Sequence, residues 1–337
     1  MTSLPVLVVS CDRYADLWRP FFELFWRRWP DCRGPVYLGS NYATCPDPRV
    51  QPLRIGEDVT WAASLAAMLD RIDADYLIVM LEDFLLMEPV DNARVERLAD
   101  LAMSERLGCL RLYSIYPPPR PVAGHPGLGW FAPADDYRIT AQAAIWRVDT
   151  LRRLLVSGFS AWDFELIGSQ MSDHMDDRIW GVYEPALQYD HGVEKGRWRP
   201  QGLAICREAG IAVDLTNRGA FTATELERHE QTGVAAAQFA ARKTHALKLF
   251  REGRRVQALS DVRWCLARQP FLAQMWVIAL VGCAGPAPVK WLQRLHVRAK
   301  VAAAERAYRR AVRTSMAKAA ALRSSGVPGT RQPVKRR

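Results

Sequence analysis

Along this chain, short unbroken apolar runs alternate with longer stretches in which apolar residues recur every three or four positions. Leu4–Ser10 and Tyr76–Leu81 are runs of the first kind, and both predict strands buried on two faces. Between them Tyr14–Trp29 sets Leu17, Phe21, Leu24, Phe25 and Trp29 at helical spacing, until Pro30 and Gly34 end the helix. Val36–Leu38 reads as a short strand, followed by a proline-bearing loop from Gly39-Ser-Asn41 to residue 52. Asp58 then caps a helix whose Trp61, Leu65, Met68, Leu69 and Ile72 share one face. This β-α-β-loop-α-β order predicts an α/β domain with a mixed, mostly parallel, Rossmann-like sheet and helices on both faces.

Beyond it, a helix from Pro89 to about Arg106 precedes a strand at Cys109–Tyr113, and Tyr116–Asp136 reads as one long loop. A strand at Ile139–Trp146, helices at Asp149–Leu155 and from Ala161 to Ile167, and a strand at Trp180–Tyr183 follow. His191-Gly-Val-Glu-Lys-Gly-Arg-Trp198 is a glycine-punctuated basic loop. From Thr222 the pattern turns helical, with a hairpin over 239–268 broken at Gly253. The expected organisation is an α/β domain over 1–221, an α-helical C-terminal appendage over 222–322 and a disordered basic tail over 323–337.

Charge is divided between these parts. Residues 240–337 hold 22 Lys and Arg against 3 Asp and Glu, leaving 24 against 33 in the rest, so a mildly acidic domain carries a strongly basic extension. Such asymmetry points the extension toward an anionic partner. A membrane surface is the expected one, with the apolar Pro270–Val281 segment as an interfacial helix; the stretch to Pro286 is too short to span. Nucleic acid is not expected, because the aromatics after residue 240 fit helix packing better than base stacking. The 7 scattered cysteines read as reduced thiols, and the N-terminus, lacking a basic region, as a first strand; both fit a cytoplasmic protein peripheral at the inner face of the membrane.

Candidate chemistry gathers at strand ends. The run Tyr-Leu-Ile-Val-Met-Leu stops on Glu82-Asp83, where open α/β sheets bind ligands. Asp83 there suits direct contact with Mg²⁺ or Mn²⁺ held against phosphates, with Glu82 acting through water or anchoring the loop. Lys195 and Arg197, beside Gly192 and Gly196, suit phosphate oxygens, and His191 can complete a metal site. In Trp162-Asp163-Phe164-Glu165 either acid at the opening of a helix can take a proton from an acceptor hydroxyl; Glu165 is preferred over Asp163. Ser10, Asp12 and Arg13 follow the first strand at the ligand-binding edge of such a sheet, and Arg138 and Gln142 lead into and lie on the strand that ends at Trp146. Tyr113, Tyr116, Trp130, Trp146 and Trp162 form an aromatic set along the same stretch of chain.

Val-Ser-Cys-Asp12, the Tyr-Leu-Ile-Val-Met-Leu-Glu-Asp-Phe block, Thr140-Ala-Gln-Ala-Ala-Ile-Trp146, Trp162-Asp-Phe-Glu165 and the Gly-Val-Glu-Lys-Gly-Arg-Trp loop occur in an order that resembles bacterial nucleotide-sugar glycosyltransferases of the GT-A, family-2-like type, over roughly residues 4–210. The resemblance implies the GT-A fold and transfer of a sugar, with inversion, from a nucleoside-diphosphate donor, a UDP-sugar by preference, to a saccharide or lipid-linked acceptor in surface-glycan synthesis. It also implies that Asp83, with Glu82, takes the place of an Asp-x-Asp metal turn, although no acid stands two residues after Asp83; that Ser10, Asp12 and Arg13 lie at the nucleotide base and ribose; that Arg138 and Gln142 reach donor-sugar hydroxyls; and that the aromatic set suits stacking on sugar rings. Two other classes use parts of the same set: a metal-dependent nucleotidyltransferase or phosphodiesterase, and a non-catalytic basic-tailed scaffold binding nucleic acid or membrane.

Overall fold

The computed structural model describes residues 3–57, 59–113 and 115–324. Its chain order is β1 (Val6–Val9), α1 (Ala15–Arg28), β2 (Val36–Ser40), β3 (Val50–Arg54), α2 (Trp61–Leu69), β4 (Tyr76–Leu81), β5 (Phe84–Leu86), α3 (Asn92–Ser104) and β6 (Cys109–Arg111). There follow β7 (Arg120–Pro121), β8 (Leu128–Phe131), β9 (Ala144–Arg147), α4 (Val148–Leu154), α5 (Ala161–Ser172), β10 (Ile179–Val182), β11 (Tyr189–His191), β12 (Val193–Glu194), β13 (Arg197–Trp198) and α6 (Pro200–Glu208). Four helices close the described chain: α7 (Ala223–Arg251), α8 (Arg255–Arg268), α9 (Ala273–Ala284) and α10 (Pro286–Ser324).

Nine strands form one sheet in the order β3-β2-β1-β4-β9-β6-β10-β8-β7. Its first half is parallel, with Val6 level with Val36 and Ile78, so β1, β2 and β4 all end on the same side. The strand β9 runs antiparallel between β4 and β6, making the sheet mixed, and beyond it β6 and β10 pair parallel again. Alternation along β1 and β4 explains the unbroken apolar runs. Val6, Val8, Ile78 and Met80 face Phe21, Phe22, Phe25, Val95 and Leu98 of α1 and α3, whereas Leu7, Val9, Leu77 and Val79 face Leu65, Met68, Leu151 and Phe164 of α2, α4 and α5.

Several elements depart from the sequence expectation. Strand β3 forms inside the proline-bearing loop because Pro52 sits on the sheet edge, where its missing N–H breaks no ladder. The long loop over 116–136 contains the β7–β8 hairpin, which adds to the sheet antiparallel to β10. The helix after β3 is capped by Thr60, whose Oγ1 accepts from the Ala63 N–H at 3.3 Å; Asp58 lies outside the described residues. So does most of the expected tail, although α10 runs to Ser324.

The appendage has its own small core, with Phe250 of α7, Val262 and Cys265 of α8, Met275 and Ile278 of α9 and Val289 of α10. It does not hang free. Val297, Val301 and Ala304 of α10 return to the α/β domain against Phe159 and Ile167. Gly158 permits this approach, since a Cβ there would collide with the backbone of Ala304.

Candidate functional site

The sheet delivers two loops to one edge. After β1, the Asp12 carboxylate accepts the backbone N–H groups of Asn41, Tyr42 and Ala43 at 2.9–3.2 Å, and its own N–H donates to the Asn41 side chain. Asp12 therefore pins the loop after β2 to the loop after β1. Arg13 is exposed, and its carbonyl accepts from Arg218. The Ser10 hydroxyl accepts from the Trp18 indole at 2.8 Å and hydrogen-bonds Glu82.

Glu82 is 8% exposed, and burial, with Asp83 next in importance, pushes its carboxyl up to about 8 against the opposing pull of Arg218 and Ser10. Between its ordinary value of 4.5 and about 8, the folded chain holds a proton that the unfolded chain releases, so this group's contribution to stability falls as pH rises through that window. Glu82→Gln is therefore expected to stay close to the parent at pH 5 and to exceed it by several kcal/mol, on the order of 4, at pH 9 in urea melts of the metal-free protein. Equal midpoints at both pH values would contradict the buried, protonated Glu82.

Asp83 points toward a second strand. The β5–β11 pair brings His191 opposite Phe84, the Gly192 N–H donates to the Asp83 carbonyl at 2.7 Å, and His191 Nδ1 lies 3.5 Å from Asp83 Oδ2. Both side chains are partly exposed, 30% for His191 and 18% for Asp83, so a ligand can reach them. Among the described residues no cluster of three His, Cys, Asp or Glu suited to a cation forms. A pair of one carboxylate and one imidazole fits an ion that takes its remaining oxygens from phosphate and water, and the nitrogen donor suits Mn²⁺ better than Mg²⁺.

From His191 the contacts continue inward. Tyr189 stacks on Phe84 with centroids 4.3 Å apart and packs against Tyr113 at 4.4 Å. Its hydroxyl donates to Gln142 Oε1 at 2.7 Å and accepts from the Ala143 N–H at 3.1 Å. The next residues explain why the strand expected from Ile139 begins only at Ala144. The N–H groups of Ile139, Ala141, Gln142 and Ala143 go to Ser169 Oγ, Glu165 Oε1, Thr140 Oγ1 and Tyr189 Oη, all side chains, so no neighbouring strand receives them.

That segment ends the chain of contacts at α5. Glu165 Oε1 accepts from the Thr140 hydroxyl at 2.9 Å and from the Ala141 N–H at 2.8 Å. Asp163 has a different position: its Oδ2 accepts from Ser160 N and Oγ in a capping box, with Ser160 as the cap. The two acids are thus separated, one binding the helix start and one turned to the loop that carries Gln142. Asp83, His191, Tyr189, Gln142, Thr140 and Glu165 form one continuous series across the strand ends.

Other expected residues lie outside this series. Arg138, 3% exposed, donates to the carbonyls of Phe131, Ser172 and Asp177, which leaves its guanidinium no access to a sugar. Arg197 pairs with Glu225 at 3.1 Å, donates to the Ala220 carbonyl and covers the Phe221 ring, bracing the start of α7. Lys195 and Gly196 have φ values of 47° and 78° and form the two-residue turn between β12 and β13, and Gly192 packs against Leu85 and Trp198. These glycines serve a hairpin and a close packing contact instead of a phosphate cradle. Of the aromatic set, Trp146 is core at 1% exposure, whereas Trp162 is 70% and Tyr116 51% exposed, the latter stacked on Tyr137. Tyr189 and Arg218 went unforeseen: the first stands two residues before His191, a strand spacing that places both on one face, while the second is an isolated basic residue in a loop, with no local signal. Arg218 lies over the Tyr14 ring and holds Asp16 through two hydrogen bonds of 2.7 and 2.8 Å.

No protein-family model and no curated protein matches the chain. Solved structures include TarS residues 1–349 from S. aureus, 12% identical, with 93% of this chain and 92% of that chain covered at a TM-score of 0.41. They also include the galactosyltransferase LgtC with donor and acceptor sugar analogs, 10% identical over 66% and 85% of the two chains at 0.34. A third is 2-C-methyl-D-erythritol 4-phosphate cytidylyltransferase from Thermus thermophilus, 16% identical over 62% and 98% at 0.39. The chain spans 36% of a longer TarS and 51% of the bifunctional IspDF from Campylobacter jejuni.

Proposed function

We propose that the chain is a nucleotide-sugar-dependent glycosyltransferase that takes a nucleoside-diphosphate sugar, a UDP-sugar by preference, and transfers its sugar with inversion to a saccharide or lipid-linked acceptor in surface-glycan synthesis. The observation that supports the reading is the continuous series of contacts from the Asp83–His191 pair to Glu165, which we read as a cation-and-phosphate end and a proton-accepting end. Asp83 and His191 would hold a Mn²⁺ or Mg²⁺ ion. When bound, that ion neutralises charge on the leaving diphosphate. An acceptor hydroxyl then forms the new bond to the anomeric carbon as the bond to the diphosphate breaks, and its proton passes to Glu165. The two hydrogen bonds on Oε1 fix the direction of that carboxylate before the acceptor arrives. Gln142, held through Tyr189, stands between the two in this series of contacts and would suit a sugar hydroxyl.

A thermal-shift screen against UDP, GDP, CDP, dTDP and ATP, each with and without Mn²⁺, tests this reading. A ligand at 100 times its dissociation constant adds about 2.7 kcal/mol, a shift of several degrees. Metal-dependent stabilisation by one nucleoside diphosphate is the expected result. No shift with any of them would overturn it, and a response to a nucleoside triphosphate with pyrophosphate release would replace it with nucleotidyl transfer.

A further inference from the structure

Residues 271–289 contain no Asp, Glu, Lys or Arg, yet only one side of this stretch is buried. Met275, Ile278 and Gly282 face the appendage core, with Gly282 against the Phe250 ring. The opposite side presents Trp276 at 53% exposure, Val277 at 43% and Leu280 at 73%, preceded by Phe271 at 97%. The Trp276 indole N–H donates to the Pro270 carbonyl at 2.9 Å, so its polar atom is satisfied by the protein and the ring remains as apolar surface. Past the turn at Gly285, α10 continues the theme with exposed Trp291 and Leu295 one helical turn apart. Beside them runs an exposed basic row, Lys290, Arg294 and Arg298, each four residues from the next.

Large exposed apolar patches mark interaction sites, and the charge around this one selects the partner. A second copy of the chain docking face to face would set Lys290, Arg294 and Arg298 against the same row, bringing like charges together. An anionic surface meets the row with opposite charge, and the net +19 of residues 240–337 extends the attraction. No helix among the described residues is long and apolar enough to cross a membrane, which leaves an in-plane arrangement with the aromatic and aliphatic side chains in the head-group region. We propose that the outer face of α9 and the first turns of α10 dock the protein on an anionic phospholipid surface. The inference does not rest on the transferase reading.

Co-sedimentation of the full chain with phosphatidylcholine vesicles, with and without phosphatidylglycerol, tests it. The protein is expected to partition onto the phosphatidylglycerol vesicles, to be released by salt, and to bind pure phosphatidylcholine far more weakly. The Trp276→Glu/Leu280→Glu double variant, whose changes lie on the solvent side of α9, is expected to lose at least about tenfold of this binding while melting at the parent temperature. No partition of the parent, unchanged partition of the variant, or a parent dimer that the variant converts to monomer would overturn the proposal. If the variant melts early, Lys290→Glu/Arg294→Glu takes its place, with loss of binding supporting the proposal and retention refuting it.

Discussion

Asp83→Asn is expected to lower sugar transfer by about 10²–10³-fold or more and to remove the metal-dependent part of nucleotide stabilisation. The substitution keeps shape and removes charge. Its neighbours should stay in place, because the bond that ties β5 to β11 at this point runs from the Gly192 N–H to the backbone carbonyl of residue 83, not to its side chain. Asn can still approach His191 Nδ1, now 3.5 Å from Asp83 Oδ2, but a neutral amide oxygen is a weak ligand for a divalent ion. Removing the charge also relieves the repulsion that helps to raise Glu82, so the metal-free variant should melt no lower than the parent. Circular dichroism melts and nucleotide titrations with and without Mn²⁺ separate the two effects. A variant with full transfer activity would take Asp83 out of the mechanism; one that fails to fold would show that the carboxylate is structural.

The contrast between what could and could not be read from the sequence has a physical cause. A strand covered by helices on both faces must be apolar at every position, so the halt at Glu82-Asp83 is visible without any knowledge of partners. The same argument recovers β1, while the helical spacing of apolar residues locates α1 and α2. It fails where backbone groups are satisfied by distant side chains. Residues 139–143 look like the front of a strand, yet their amides bond to Glu165, Ser169 and Tyr189, and nothing local announces those partners. Arg138 fails in the same way: an arginine before a strand suggests an exposed ligand contact, whereas three carbonyls from separate elements bury it. Asp163 and Glu165 were indistinguishable by spacing alone. They part because Ser160 captures the first and the 140–141 loop the second. The return of α10 onto Phe159 and Ile167 depends on Gly158, one small residue whose meaning exists only once the helix arrives.

That separation makes Glu165 the stronger test of the chemistry. Glu165→Gln keeps an oxygen for the Thr140 hydroxyl and the Ala141 N–H, so the loop bearing Gln142 should hold its form and donor binding should persist. What it removes is the capacity to accept a proton. General-base loss of this kind costs about 10²–10⁴-fold in kcat, with the nucleotide shift in the thermal screen unchanged. Asp163→Asn is the paired control: it weakens the capping box that Ser160 completes and should cost about 1 kcal/mol in stability with kcat near the parent value. If the two variants exchange these outcomes, the base is Asp163 and the cap is incidental. If Glu165→Gln transfers sugar at the parent rate, neither the Thr140 hydrogen bond nor the position of α5 concerns proton transfer, and the acceptor must be activated from the Asp83 side of the cluster.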